Sequence, residues 1–185
     1  MSIKLENFFN TSLNDISVEL SQMFDRNFET KSFFDKQWPQ TKHTYHTGSL
    51  LLRTGKLRRS IKSKRGNKTI TWKSNLPYAK IHNEGGKIKV TPKMKRFFWA
   101  MFYKNSNAVM YSVKKKAPAN TKRNKRLQAE AMKWKAMALL KVGSEITIDQ
   151  RQFIGGHPQV DIAVKKIIDN NINQLDKSII KKLKR

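Results

Sequence analysis

The sequence predicts an α+β fold, in which a small antiparallel β-sheet is packed by N- and C-terminal helices and carries a basic helical insertion. Three observations support this prediction. Both ends of the chain repeat apolar residues at helical spacing, short alternating segments with glycine turns lie between them, and residues 92–141 have a lysine-rich helical pattern of their own. The 185 residues can form one domain, 1–185, with a modest core.

The first predicted element is an amphipathic helix from Ser12 to Thr30, because apolar residues recur there at three- and four-residue spacing. Ser12, followed by Asp15 three residues later, has the pattern of a helix N-cap. Because a residue that precedes proline avoids the helical conformation, Trp38-Pro39 ends any helix here. A polar connection is therefore expected after this point.

The segment 51–61, LLRTGKLRRSI, predicts a broken helix that leads into a β-hairpin. Thr54 can cap a new helical turn, and Gly55 can adopt a backbone angle that other residues resist. β-Branched and aromatic residues near the turn sequence Arg65-Gly66-Asn67 are typical of strand–turn–strand structure. The following NLPYAKIHNEGGKIKV predicts a short helix ended by Gly85-Gly86 and then a strand.

Residues 92–141 predict two further helices, KMKRFFWAMFYK and RNKRLQAEAMKWKAMALLK, joined by a basic, turn-rich linker. An apolar side is expected on the second of them, made of Leu127, Ala131, Trp134 and Ala138. SEITI then predicts a strand, RQFIGG a turn, and the sequence from Pro158 onwards a long helix. The apolar positions of this helix keep helical spacing: Val160, Val164, Ile167, Ile168, Ile172, Leu175, Ile179 and Leu183.

Positive charge is concentrated in the middle of the chain. The formal net charge is +26, and residues 41–141 hold 27 Lys and Arg against only two acids, Glu84 and Glu130. Such a segment repels itself and favours a polyanion or an acidic protein surface as its partner. A well-solvated basic face without a partner is the simpler alternative.

The residues that catalysis or metal binding requires are missing from the pattern. His43 and His46 lie in a polar loop without a nearby carboxylate, and Glu84 is too isolated in the sequence for acid–base work. There is no cysteine and no phosphate-binding loop, nucleophile elbow or zinc-protease motif. We expect no catalytic residue, no metal and no cofactor. The polar N-terminus and the lack of a long apolar run predict a soluble, intracellular protein.

A sequence-nonspecific nucleic-acid-binding protein is the main alternative function. Basic runs alternate with aromatic residues that could stack on bases. These residues are Trp72, Phe97, Phe98, Trp99, Tyr103 and Trp134. Aromatics at helical spacing are more often core or interface residues than base-stacking platforms. A small basic enzyme or toxin acting on nucleic acid is the third hypothesis, and the absence of a catalytic pair disfavours it.

Four short features occur in an order that resembles a known family. They are Phe33-Phe34 with Trp38-Pro39, LLRTGKLRRSI at 51–61, YAKIHNEGG at 78–86 and RQFIG at 151–155. Together they resemble the phage virion morphogenesis family, the tail-completion or head–tail-joining proteins typified by a Mu-like phage. The resemblance covers roughly residues 30–90 and 145–180, and the basic stretch 92–141 is longer than the pattern requires.

The resemblance implies a structural protein of the virion, located in the neck or at the head-proximal end of the tail, and in the host cytoplasm during assembly. It implies a ring of identical subunits and no catalytic residues or cofactor. The expected partners are further copies of the chain and neighbouring neck, connector or tail proteins. Contact with packaged DNA is an additional expectation, and no membrane is involved.

Two sets of residues follow from this reading. Structural roles are expected for Thr54, Gly55, Leu57, Tyr78, His82, Gly85, Gly86, Arg151, Phe153 and Gly155. Contacts with a partner or nucleic acid are expected for Lys56, Arg58, Arg59, Lys114, Lys115, Lys116, Lys122, Arg123, Lys125 and Arg126. In this reading the Thr54-Gly55 break makes a sharp turn into the hairpin, and neighbouring leucine and isoleucine side chains anchor that turn. The three cations Lys56, Arg58 and Arg59 stay free for a partner.

Overall fold

The computed structural model describes the backbone of residues 2–40, 50–114 and 116–183, and the side chains of 6–40, 50–114 and 116–180. The candidate metal ligands His43 and His46 and the candidate contact Lys115 lie outside the described residues. No helix in the described ranges is long and apolar enough to cross a membrane.

Helices dominate the described chain, with short strands between them. The helices are α1 (Ser2–Thr30), α2 (Lys56–Ser60), α3 (Ala79–Glu84), α4 (Pro92–Asn107), α5 (Lys122–Leu139) and α6 (Pro158–Leu183). The strands are β1 (Ser32–Phe33), β2 (Lys36–Gln37), β3 (Lys62–Arg65), β4 (Ile70–Lys73), β5 (Gly86–Lys89), β6 (Tyr111–Ser112), β7 (Ala117–Pro118) and β8 (Glu145–Ile148).

The predicted α+β fold class is confirmed, with N- and C-terminal helices flanking antiparallel β-structure. In the described residues the strands form four separate two-stranded sheets, whereas the sequence predicted one small sheet. The pairs are β1–β2, β3–β4, β5–β8 and β6–β7. The β3–β4 pair is the hairpin predicted around Arg65-Gly66-Asn67.

The chain forms two compact units. Among the described residues, the first unit contains 2–40, 50–85 and 149–183, and the second contains 86–114 and 116–148. The predicted boundaries of the basic insertion, 92 and 141, fall inside the second unit. The division into a domain 1–185 with an insertion stays a prediction.

Helix α1 begins ten residues earlier than the sequence predicted, so Ser12 is not its N-cap. Ser12 is buried within the helix, and its Oγ accepts a hydrogen bond from Asn171 Nδ2 of α6 at 3.1 Å. The same amide donates to Asp15 Oδ2 at 3.0 Å. Because a neighbouring helix provides these contacts, a serine and an aspartate with the pattern of a cap fit inside a helix.

The core of the first unit includes a cluster between α1 and α6. Ile16, Leu20 and Phe24 are buried there, and apolar residues of α6 from Val160 to Ile168 pack on them. Burying a side chain of this size stabilises a fold by about 1.5–3 kcal/mol. Further along α6, Ile172 keeps the same spacing but is 42% exposed, so helical periodicity continues beyond the buried part of the helix.

The hairpin β3–β4 packs on α1 through one of its two faces. Trp72 donates from Nε1 to Ser21 Oγ at 3.0 Å and meets the ring of Phe24 edge-on, with ring centroids 5.4 Å apart. From the neighbouring strand, Ser63 Oγ accepts a hydrogen bond from Ser17 Oγ at 3.0 Å. Since side chains alternate along a strand, the residues between these contacts project to the other face.

The N-cap of α2 is Gly55, one residue after the predicted Thr54. Gly55 has φ 66° and ψ 5°, a left-handed conformation that suits glycine. Thr54 Oγ1 lies 3.5 Å from the Lys56 nitrogen, which makes it a weak acceptor at most. The predicted turn is confirmed, and a backbone angle rather than a side-chain cap defines it.

The second unit is built on two helices with threonine caps. Thr91 accepts from Met94 N at 3.2 Å to start α4, and Thr121 accepts from Asn124 N at 3.1 Å to start α5. Phe98 of α4 stacks on Trp134 of α5, with centroids 5.9 Å apart. On α5, the predicted apolar positions Ala131 and Ala138 are buried.

Candidate functional site

Motifs that are far apart in the sequence meet in one buried cluster of the first unit. We call this the motif cluster; it consists of Phe28, Trp38, Leu57, Ala79 and Phe153. The ring of Phe28 lies 5.2 Å from that of Phe153 and 5.7 Å from that of Trp38. Each of the four motifs thus contributes a side chain to one core.

Two asparagine side chains hold the backbone at Phe153. Asn83 Oδ1 accepts from Phe153 N at 2.9 Å and from Ile154 N at 3.1 Å. On the other side, Asn27 Nδ2 donates to Phe153 O at 3.2 Å, and its Oδ1 accepts from Phe34 N at 3.1 Å. The RQFIG turn is therefore fixed through its main chain as well as through its ring.

These two asparagines were missed by reasoning from the sequence. Asn27 is 3% exposed and lies beside Phe28 on the buried side of α1. The sequence places this amide on the side of the helix that is expected to be buried. Because buried polar groups normally have hydrogen-bond partners, this position could have indicated a structural hydrogen bond. Asn83 lies inside the YAKIHNEGG motif, and no role was predicted for its side chain.

The motif residue Arg151 has a side chain that is only 9% exposed. It donates from Nε to Pro39 O at 3.1 Å, and its backbone N donates to His82 O at 2.7 Å. Next to it, Gln152 O accepts from Trp38 Nε1 at 2.6 Å. The segment that begins with Arg151 therefore binds both the Trp-Pro motif and the end of α3.

The surroundings of His82 favour its neutral form. Its pKa lies below the ordinary value of 6.5, mainly because burial disfavours the charged ring and further because Arg151 is positive. The Nδ1 atom is buried and has no hydrogen-bond partner among the described residues. Tyr78 meets the ring edge-on at 6.1 Å and is itself 40% exposed. His82 thus packs against Tyr78 and is half-buried.

The motif glycines Gly55, Gly85, Gly86 and Gly155 all have positive φ, and at Gly85 and Gly55 a Cβ atom would meet different neighbours. Gly85 ends α3 at φ 72° and ψ −173°, and a Cβ atom here would lie 2.9 Å from Gln150 N. At Gly55 the nearest atom, at 2.6 Å, belongs to the flexible side chain of Arg59. Of the remaining motif glycines, Gly86 begins β5 and Gly155 follows the Phe153-Ile154 pair.

Gly85→Ala is expected to lower the free energy of unfolding by about 3 kcal/mol, because the glycine-only backbone conformation and a backbone clash both oppose it. Gly55→Ala serves as the matched control, since the Arg59 side chain can move, and should cost about 1 kcal/mol. Urea titrations of both variants measure the difference. If both variants lowered the free energy of unfolding by the same amount, the close approach to Gln150 would not be the cause of the loss at Gly85.

The structure corrects the expectation for Arg58. Its guanidinium binds Asp25 and Glu29 of α1, the latter at 2.7 Å, and these hydrogen bonds raise its pKa above the ordinary arginine value. Arg58 is therefore engaged within the chain and is not free for a partner. Arg59 donates from Nη2 to Thr54 O at 2.8 Å, and both it and Lys56 are exposed.

The second unit carries most of the other candidate contacts. Exposed side chains are found at Lys114, Lys116, Lys122, Arg123, Lys125 and Arg126. Residues 86–148 hold sixteen Lys and Arg against two acids, Glu130 and Glu145. Both acids are already in ion pairs, with Arg126 at 3.4 Å and with Lys87 at 2.8 Å. A large positive excess therefore remains on this unit.

The six aromatic residues considered as base-stacking platforms differ in their exposure. Trp72 packs in the first unit, and Phe98 is 5% exposed, so these two are core residues. Phe97 and Tyr103 are 53% and 55% exposed. Trp99 and Trp134 are half-buried, so Phe97 and Tyr103 are the most accessible of the six aromatic residues.

The described residues contain no group of three His, Asp or Glu side chains arranged to hold a metal ion. Comparison with known families gives the decisive observation: the model of the phage virion morphogenesis family matches residues 26–173. The chain belongs to that family. This confirms the resemblance drawn from the four motifs.

Membership indicates a virion-associated protein with a structural or assembly role in a bacteriophage, rather than an enzymatic one. The match begins within α1 and ends within α6, so it spans the whole motif cluster. No curated protein and no solved structure matches the chain.

Proposed function

We propose that this phage virion morphogenesis protein is a neck or tail-completion protein, whose copies form an oligomeric ring that joins head and tail. The family match over residues 26–173 carries this proposal. The motif residues support it, because side chains from all four motifs build one buried core. Function then depends on the surfaces that the core holds in place.

The charge of the chain supports a role that begins only when partners meet. At a net charge of +26, free copies repel one another at low ionic strength. An acidic neighbour in the assembling particle removes this repulsion where the ring forms. Ring formation would thereby be coupled to the presence of that neighbour.

The second unit has the composition of a protein-binding surface. Protein interfaces are enriched in aromatic residues, methionine and arginine. Its large exposed apolar residues are Phe97, Tyr103, Met110, Tyr111, Val113, Met132, Leu139 and Val142. On α4, Arg96, Phe97, Tyr103 and Lys104 recur at helical spacing, which mixes cations and aromatics on one side. We expect this side to bind acidic surfaces of neighbouring virion proteins.

The test uses the phage that encodes this chain, with the gene deleted and the protein supplied from a plasmid. Wild-type protein should restore infectious particles and appear in purified virions by mass spectrometry. Phe97→Ala with Tyr103→Ala should reduce the titre at least tenfold while the thermal unfolding curve still shows a folded protein. If heads and tails join normally without the protein, and purified particles never contain it, the proposal is wrong.

A further inference from the structure

The outer face of the β3–β4 hairpin carries three lysines that the fold does not use. The register pairs Lys62 with Lys73 and Lys64 with Thr71. Ser63 and Trp72 occupy the alternate positions and bind α1, so the side chains of the other four lie on the opposite face. All four are exposed.

Lys62 and Lys73 are directly opposite each other on neighbouring strands. Side chains at such positions have Cβ atoms about 4.5–5.5 Å apart, and like charges there destabilise the hairpin. The sequence contains no acid between Asp35 and Glu84. Within the described part of the chain, no carboxylate lies within ion-pair distance of Lys62, Lys64 or Lys73. An anion from outside the chain is therefore the natural counterpart.

The chemistry of this face favours phosphate over an acidic protein. It offers ammonium groups and one hydroxyl, from Thr71, and no apolar side chain. Protein interfaces need an apolar centre and are depleted in lysine. Contacts to the DNA backbone, in contrast, come mainly from lysine, arginine and hydroxyl side chains.

We propose that the outer face of this hairpin binds the phosphate backbone of double-stranded DNA without sequence preference. This activity goes beyond the assembly role and does not depend on ring formation. It uses lysines that lie in the first unit and differ from the candidate contacts at 114–126.

The test measures binding of the full-length protein to a fluorescent random-sequence duplex of about 30 base pairs by anisotropy, across a salt titration. Lys62→Gln, Lys64→Gln and Lys73→Gln together should weaken binding at least tenfold. The slope of log K against log salt should fall by about 2–3, since each phosphate contact contributes about 0.9. Replacing the same three lysines by arginine should preserve both values.

A matched control removes three exposed lysines of the first unit elsewhere: Lys165→Gln, Lys166→Gln and Lys177→Gln on α6. The change in net charge is identical, and the loss of affinity should stay below about threefold because nonspecific electrostatics falls off with distance. Thermal unfolding of the hairpin variant should be unchanged or shifted upwards, since the repulsion between Lys62 and Lys73 is gone. This separates a binding defect from misfolding.

Three results would overturn the proposal. The α6 variant could lose as much affinity as the hairpin variant, which would mean that only overall charge matters. The hairpin variant could lose more affinity for a glutamate-rich peptide than for DNA, which would point to an acidic protein as the partner of this face. Binding could also lack salt dependence. Incorporation into virions is measured separately. A protein that does not bind DNA through the hairpin can therefore still have the assembly role, and a protein absent from virions can still bind DNA.

Discussion

Phe153→Ala is expected to lower the free energy of unfolding of the first unit by about 3–5 kcal/mol, the range for truncating a buried phenylalanine. Phe153 is 1% exposed and lies against Phe28 in the motif cluster. Domains of this size are stable by only about 5–15 kcal/mol. The variant should therefore be partly unfolded at 37 °C, and its yield from cells should fall.

The measurement needs a signal from the first unit alone. Trp38 and Trp72 lie in that unit, whereas Trp99 and Trp134 lie in the second. In a protein that also carries Trp99→Phe and Trp134→Phe, urea titration followed by tryptophan fluorescence measures the unfolding of the first unit. Phe9→Ala is the control, since this ring belongs to the same unit and is 46% exposed, and it should cost less than about 1 kcal/mol. If Phe153→Ala and Phe9→Ala lowered the free energy of unfolding by similar amounts, Phe153 would not be central to the motif cluster.

Asn27→Ala is expected to cost about 4 kcal/mol, although it removes only a small polar side chain. The reason is that Phe34 N and Phe153 O lose their partner, and each buried unpaired backbone group costs about 1–3 kcal/mol. The same fluorescence assay measures the change. An exposed asparagine of α6, Asn173, provides the control, and its replacement by alanine should change stability by less than about 0.5 kcal/mol.

Asn27→Asp separates the two hydrogen bonds. The aspartate keeps an acceptor for Phe34 N but loses the donor for Phe153 O and buries a charge. It should therefore be less stable than wild type at pH 7 and recover part of the loss at acidic pH, where the carboxyl is protonated and can donate. If Asn27→Asp were as stable as the wild-type protein at pH 7, the clamp on the RQFIG turn would be unimportant.

Helices and the hairpin could be predicted because their signals are local. The apolar spacing of α5 and of the first part of α6, and the turn sequence between β3 and β4, depend on residues that are close in the chain. The start of α1 was placed wrongly because Ser12 and Asp15 have the local pattern of a cap. Their true partner, Asn171, is far away in the sequence.

The candidate site was harder to predict, since its contacts join distant segments. Nothing near Arg58 in the sequence is acidic, and its partners Asp25 and Glu29 come from α1. The clamps by Asn27 and Asn83 also become visible only when the turn at Phe153 is placed between them. The family could be identified because the order of the four motifs is visible in the sequence. Their packing against one another could not be predicted from that order.

The pairing of β5 with β8 has a consequence for how this chain can vary. Gly86 and Ile148 are register partners, so the two points at which the chain enters and leaves the second unit are about 5 Å apart. A gap of that size can be closed by a tight turn, and the entropy of closing a loop rises only slowly with its length. Grafting a longer, shorter or differently charged segment between these strands is thus compatible with an intact motif cluster, which gives a virus a ready means of adapting this protein to a new neighbour.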